Sequence, residues 1–234
     1  MAAEKYRGRA GVCRAAERCG KHAGEPDVVR NVRRVVCYPP VPLPARRPLP
    51  TLALALIPRA VALNLALGAV IGALKLPVYL DSVGTILVAV LAGPWAGIVT
   101  GIVSNSVLGL LVSPALFAFI PVAIVIGWLA GVAGAMGAFR TLAGALAAGL
   151  AIGIAAALVS AVIVIALMGG LTASGTGILT IAIRAAFGVS VDSAARIAAV
   201  ATDALDKPLS CALVYLVLER LPRRLRARFR GAAA

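Results

Sequence analysis

Charged residues are scarce in this 234-residue chain and absent from its longest hydrophobic runs. They make up 14% of the residues against 61% hydrophobic ones, and the mean hydropathy is +0.99. Residues 82–139 and 141–183 contain no Asp, Glu, Lys, Arg or His. One helical crossing of a bilayer needs about 20 apolar residues, so these two runs predict several crossings. The composition excludes a disordered chain and argues against a water-soluble globular domain.

Residues that commonly carry catalysis or bind metals are equally scarce. The one histidine, His22, lies in the first 50 residues with Cys13 and Cys19, and their spacing lacks the tight pairs of a structural zinc site. No nucleophile elbow, His-Glu metal motif or phosphate-binding glycine loop occurs. We therefore expect a protein that is not an enzyme, with no metal and no cofactor, and without an ATPase domain of its own.

The basic residues cluster at the two ends of the chain. Of 23 Lys and Arg, 11 lie in residues 1–50 and 5 in residues 221–234. Such flanking clusters are typical of cytoplasmic ends, and the absence of interleaved aromatic residues argues against nucleic acid as a partner. We predict a basic, Pro-rich, disordered cytoplasmic arm over 1–50, a membrane domain over 51–220 and an Arg-rich cytoplasmic tail over 221–234. A translation start placed too far upstream is an alternative origin of the arm.

Glycine, proline and charged residues divide the membrane domain into six predicted crossings. We therefore expect an all-α polytopic membrane protein, a six-helix transmembrane bundle with both termini cytoplasmic. Residues 178–191 are too short and too charged to cross, and we expect an interfacial or re-entrant segment there. With six crossings and both termini cytoplasmic, nineteen of the 23 basic residues lie on the cytoplasmic side, as the positive-inside rule favours. The predicted spans are 52–74, 78–93, 95–112, 115–138, 141–168 and one within 193–219.

Ionisable residues within spans are costly and are candidates for function. Asp81 opens the second span. Asp203 and Lys207 are four residues apart on one face of the last helix, in the order that favours an ion pair, and Asp206 faces the same side. These groups either neutralise one another or contact a ligand. Arg184 has no nearby acidic partner, so it is expected at the lipid headgroups or at the mouth of a pocket.

Small residues recur at four-residue spacing and predict close helix packing. Gly93, Gly97 and Gly101 form such a series, which Asn105 continues. The Asn105 amide is therefore expected to bond a neighbouring helix or a ligand. The low aromatic content of 5% argues against a large stacked ring as ligand, although Trp128 could stack on a smaller one.

Two segments resemble the substrate-binding S components of energy-coupling factor (ECF) transporters. Residues 80–86 read Leu-Asp-Ser-Val-Gly-Thr-Ile and residues 91–97 read Leu-Ala-Gly-Pro-Trp-Ala-Gly. In the family, a segment similar to residues 80–86 begins a short helix, and a turn similar to residues 91–97 follows it. A third helix then carries an asparagine, here Asn105. The ending over 203–225 is also similar to that of members of the family. The likeness covers about residues 52–230.

This resemblance implies a six-helix subunit of the bacterial cytoplasmic membrane that captures a vitamin or similar micronutrient at an outward-facing pocket. Such subunits work with a transmembrane T component and two ATP-binding subunits. The small-residue surface that meets the T component would map to Ala62 and Ala66, or to Ala69 and Ala73. The polar and aromatic groups available to line the pocket are Asp81, Asn105, Trp128, Arg184, Asp203 and Lys207.

Two other functions stay open. An ion-coupled carrier or channel acting alone would use Asp203 and Lys207 as a charge relay, although the inverted repeats usual in secondary carriers are absent. A membrane sensor or scaffold would signal through the arm or the tail.

Overall fold

The computed structural model of the chain describes residues 51–74, 78–172 and 174–221, in which the secondary structure is helical, with no strand. The arm over 1–50 and the arginines of the tail lie outside the described residues. Two short 3₁₀ segments, Pro114–Phe119 and Ala138–Arg140, precede the fourth and fifth helices. The α-helices are α1 (Thr51–Leu74), α2 (Val83–Ala92), α3 (Pro94–Leu111), α4 (Ile120–Ala135), α5 (Leu142–Met168), α6 (Gly175–Phe187) and α7 (Val191–Arg220).

Four stretches of helix are long and apolar enough to cross a membrane: Leu54–Leu74, Pro94–Leu111, Pro114–Ala135 and Leu142–Met168. The prediction of an all-α membrane protein is thereby confirmed. Helix α7 has 30 residues, ample length for a crossing, but charged residues interrupt its apolar character. Helix α2 has only 10 residues, about 15 Å at the usual helical rise. The count of six crossings and the cytoplasmic termini stay predictions.

The short helix α2 lies at the centre of the bundle. Seven of its ten residues are buried, and it packs against α1, α3, α4 and α7. Val83 and Ile86 of α2 share one apolar core with Ile126 of α4, Ile152 of α5 and Val214 of α7. Apart from Thr85, α2 is apolar on every face, as expected for a helix that its neighbours cover on nearly every side.

Helices α3 and α4 approach closely where the sequence has its glycine series. A Cβ atom added to Gly101 would lie 2.9 Å from the Ala123 carbonyl oxygen, and one added to Gly127 would lie 2.6 Å from the Gly97 carbonyl carbon. Real Cβ atoms do not come this near to a neighbouring backbone, so glycine is required for this packing. The four-residue spacing of small residues predicted close helix packing, and the structure adds that α3 and α4 are the helices that meet at these glycines.

We expect Gly127→Ala to destabilise the bundle by about 1–3 kcal/mol, because the added methyl forces α3 and α4 apart. The free energy of unfolding measured in detergent checks this. Gly72→Ala is the matched control, since nothing lies within 4 Å of a Cβ at Gly72. Equal stability of Gly127→Ala and Gly72→Ala would contradict the close approach.

The predicted short segment before the last span is the helix α6. It has 13 residues and begins at Gly175, three residues before the predicted boundary at 178. It ends at Phe187, and the following Gly188 has a φ of 64°, the left-handed conformation that terminates many helices. Helix α6 packs along α7, and its depth in the membrane stays a prediction.

Candidate functional site

Four ionisable side chains meet inside the bundle and form what we call the ionic cluster: Asp81, Asp203, Asp206 and Lys207. The Lys207 ammonium forms an ion pair with the Asp206 carboxylate, and its Nζ lies 4.0 Å from a carboxylate oxygen of Asp81 and 4.0 Å from one of Asp203. Asp203, Asp206 and Lys207 are buried, whereas the Asp81 side chain is 35% exposed. The cluster is therefore an enclosed polar site with Asp81 as its most accessible member.

The burial of the cluster depends on two glycines of α5. A Cβ added to Gly149 would lie 2.8 Å from the Lys207 carbonyl oxygen, and one added to Gly153 would lie 3.0 Å from the Asp203 carbonyl carbon. Helix α5 can therefore lie directly against the α7 backbone at the turn that carries the charges. The Ser160 hydroxyl, also on α5, donates to Asp203 Oδ2 at 3.3 Å.

Asp206 holds the connecting segment, which we define as residues 78–82 between α1 and α2. Its Oδ1 accepts the backbone N–H of Tyr79 at 2.9 Å and that of Leu80 at 2.7 Å. Leu80 has a φ of 49°, a left-handed conformation rare for a bulky residue. Such strain persists only where the surroundings enforce it, and here the Asp206 carboxylate supplies that restraint.

A set of hydroxyl groups ties the same segment to α6. The Tyr79 hydroxyl lies 3.1 Å from Ser174 Oγ and 2.7 Å from Thr176 Oγ1, and the Thr176 hydroxyl donates to Thr202 Oγ1 on α7 at 3.3 Å. The connecting segment is therefore fastened to both α6 and α7.

The four charged groups of the cluster differ in how many hydrogen bonds and close ion pairs they form. Lys207 Nζ donates to Ser82 Oγ at 3.1 Å in addition to its ion pairs. The Asp206 carboxylate accepts from Lys207 and from two backbone amides. Asp81 and Asp203 each have a carboxylate oxygen 4.0 Å from Lys207 Nζ, and Asp203 also accepts from the Ser160 hydroxyl at 3.3 Å. Asp206 and Lys207 thus form a structural pair, and Asp81 and Asp203 are held more loosely.

A second buried polar group joins three helices one layer away from the charges. Asn64 of α1 is fully buried and donates to Thr85 Oγ1 of α2 at 2.9 Å and to Ser104 Oγ of α3 at 3.0 Å. Its Oδ1 accepts the Gly84 N–H at 2.7 Å. That N–H belongs to the first turn of α2, which has no partner within its own helix. Asn64 therefore caps α2 from a neighbouring helix.

We expect Asn64→Leu to lower the free energy of unfolding by about 1–3 kcal/mol, because it leaves a helical N–H and two hydroxyls unpaired. Asn105→Leu is the matched control, since Asn105 is half-buried and makes no side-chain hydrogen bond among the described residues. Thermal melting of both variants in detergent checks this. A difference near zero would contradict the capping role.

Three of the six predicted site residues meet in the ionic cluster: Asp81, Asp203 and Lys207. The other three lie elsewhere, and within the described residues no hydrogen bond or ion pair joins them to the cluster. Asn105 is half-buried on α3, Trp128 is 39% exposed on α4, and Arg184 is exposed on α6. Their role in binding stays a prediction.

The position of Asn105 has a geometric cause. Steps of four residues advance 400° around a helix and so drift by 40° each. Gly97 and Gly101 are buried, but the next step of the series rotates Asn105 towards the edge of the contact. Ser104, one residue earlier, takes the inward position and is buried against Asn64.

The four predicted partner-surface alanines, Ala62, Ala66, Ala69 and Ala73, are all exposed on α1. Their spacing of four, three and four residues places them on a single face of the helix. Both proposed pairs therefore belong to one continuous strip of small side chains, and which pair would meet a T component stays a prediction.

An apolar groove near the end of α7 lies apart from the cluster. Leu213, Leu216, Val217, Arg220 and Leu221 line it. Its lining offers a single charged residue and no set of converging polar groups, so the groove has little with which to orient a solute.

Comparison of the chain with protein-family models, with curated proteins and with solved structures gives no match.

Proposed function

We propose that the chain is the substrate-capturing S component of an ECF-type transporter. It binds a vitamin or similar micronutrient at a pocket open to the outside of a bacterial cytoplasmic membrane. Uptake then requires a T component and two ATP-binding subunits. Six crossings with both termini in the cytoplasm belong to this proposal.

The observation that carries the proposal is the enclosed ionic cluster in an otherwise apolar bundle. Ionisable residues inside a membrane bundle are costly, and they commonly mark solute or ion pathways. Here Asp203 and Lys207 of α7 are joined by Asp81, which is more than 120 residues away in sequence and is half-buried. A few polar groups converging in an apolar surrounding are typical of small-molecule sites.

The exposed strip of alanines on α1 supports the same proposal. Ala62, Ala66, Ala69 and Ala73 contact no other helix closely enough to be buried. Small side chains let a second helix approach closely in a membrane. We propose this face as the contact surface for the T component.

An ion-coupled carrier is the second candidate, because Lys207 lies within 4.0 Å of three carboxylates and could exchange partners among them. Solute uptake by proteoliposomes that contain the full chain separates the two functions. The S-component proposal expects uptake only when the T component, both ATP-binding subunits and ATP are present. Uptake driven by a proton gradient in the chain alone would replace the proposal with the carrier.

A further inference from the structure

The last turns of α7 present an apolar surface that the other described helices leave uncovered. Leu213, Leu216 and Val217 are 38%, 52% and 40% exposed. Together with Arg220 and Leu221 they line the apolar groove, and their spacing places them on one face of the helix. Exposed apolar surfaces that are rimmed by polar groups are typical of contacts with lipid or with another protein. The groove therefore calls for an apolar occupant of its own, separate from the ionic cluster.

The packing of α7 on α5 sets the depth of the groove in the membrane. Gly149 lies against Pro208 and Gly153 lies against Asp203, so the two helices run antiparallel. Continued in the same register, the end of α7 is level with the start of α5. Helix α5 is long and apolar enough to cross a membrane over its whole length. The groove therefore lies at one edge of the hydrocarbon layer, where acyl chains meet headgroups.

Basic residues gather at the same end of the bundle. Arg220 is exposed at the groove, and Arg140 is exposed in the 3₁₀ segment that contacts α7. Among the described residues, neither guanidinium forms an ion pair with an acidic side chain. Over residues 208–234 the sequence has one acidic residue, Glu219, against six arginines: Arg220, Arg223, Arg224, Arg226, Arg228 and Arg230. The apolar groove is therefore next to a large excess of positive charge.

An anionic phospholipid matches both halves of this surface. Its acyl chain covers the leucines, and its phosphate group lies at the depth of Arg220, whose guanidinium can donate two hydrogen bonds to phosphate oxygens. Clusters of four to eight basic residues directly after a membrane helix are typical of anionic lipid sites, at about 1 kcal/mol for each basic residue. A zwitterionic lipid would leave the excess positive charge uncompensated, and a free phosphate ion would leave the leucines uncovered.

We infer that the end of α7 binds an anionic phospholipid of the surrounding membrane. One acyl chain lies in the groove along Leu213, Leu216 and Val217, and the phosphate group binds Arg220 and the arginines that follow it in the sequence. This inference goes beyond the proposed function and does not depend on which solute the ionic cluster captures.

Native mass spectrometry of the full chain, stripped of lipid in detergent, tests the selection for negative charge. The chain is titrated with dioleoylphosphatidylglycerol and with dioleoylphosphatidylcholine, which have the same acyl chains and differ in headgroup charge. We expect at least tenfold tighter binding of the phosphatidylglycerol, with a decline as the salt concentration rises. Arg220→Gln should weaken this binding at least threefold. Arg196→Gln is the matched control, because Arg196 is exposed near the other end of the same helix.

A second pair of variants tests the acyl contact. Leu216→Asn places a polar amide in the groove and should weaken phosphatidylglycerol binding at least threefold. Leu205→Asn is the matched control, since Leu205 is 65% exposed on the same helix and does not line the groove. It should bind the lipid as the wild type does. Both leucines are exposed, so neither substitution disturbs the buried core.

Each part of the inference has an outcome that would overturn it. Equal affinity for the two lipids would refute the selection for negative charge. An unchanged affinity in Arg220→Gln, or an equal loss in Arg196→Gln, would refute the assigned phosphate site. Phosphatidylglycerol binding that Leu216→Asn leaves intact would refute the acyl contact in the groove. None of these outcomes touches solute capture at the ionic cluster, so the proposed function stands or fails separately.

Discussion

Lys207→Met should destabilise the protein by about 3–5 kcal/mol, the largest effect that we expect from any single substitution. Removing one partner of a buried ion pair leaves the other charge uncompensated. Here the substitution affects three carboxylates, because Lys207 is the counter-charge for Asp81, Asp203 and Asp206 together. The free energy of unfolding in detergent measures the effect. Arg196→Met is the matched control, since Arg196 is exposed on the same helix.

A combined variant makes the prediction specific to charge. Adding Asp81→Asn and Asp203→Asn to Lys207→Met removes two of the stranded carboxylates, so part of the lost stability should return. Residues of one network show such non-additive effects. The effect of Asp81→Asn and Asp203→Asn on the free energy of unfolding is compared between the wild type and Lys207→Met. If the two substitutions destabilise Lys207→Met as much as they destabilise the wild type, electrostatic coupling within the ionic cluster is refuted.

Ala66→Leu should reduce transport at least tenfold while solute affinity stays at the wild-type level. Leucine adds bulk to the exposed alanine strip of α1, where the second helix of a T component would have to approach closely. The ionic cluster does not involve Ala66, so the proposed binding site is untouched. Uptake by the assembled transporter and co-purification of its subunits are the two readouts.

Ala147→Leu is the control for this surface. Ala147 is likewise an exposed alanine on a long apolar helix, but it lies on α5. It should transport and assemble normally. Full transport by Ala66→Leu, with an intact complex, would contradict the proposal that the alanine strip contacts the T component.

Local pattern was sufficient to predict where α3 and α5 begin and end, whereas α2, which begins at Val83, was predicted to begin at residue 78. The long uncharged runs and the Gly and Pro residues between them gave the boundaries of α3 and α5 to within a residue or two, because these features act on neighbouring turns. The pairing of Asp203 with Lys207 followed from helical spacing alone. Both are short-range effects that a sequence displays directly.

Contacts between distant segments were harder to predict. Asn64 was missed because a search centred on ionisable residues passes over an amide in an apolar helix, although a polar side chain in mid-span is itself a signal. The role of Asp206 was also missed. It depends on the backbone of Tyr79 and Leu80, more than 120 residues away, and on a left-handed conformation at Leu80 that nothing in the leucine side chain favours.

The central claim is that this chain captures a small solute at the ionic cluster. Native mass spectrometry of the full chain, purified in detergent without added ligand, tests it most directly. We expect a stoichiometric adduct in the mass range of a micronutrient, present in the wild type and lost or strongly reduced in Asp203→Asn. A wild-type chain that carries no adduct, and whose melting curve no micronutrient shifts, would contradict the account.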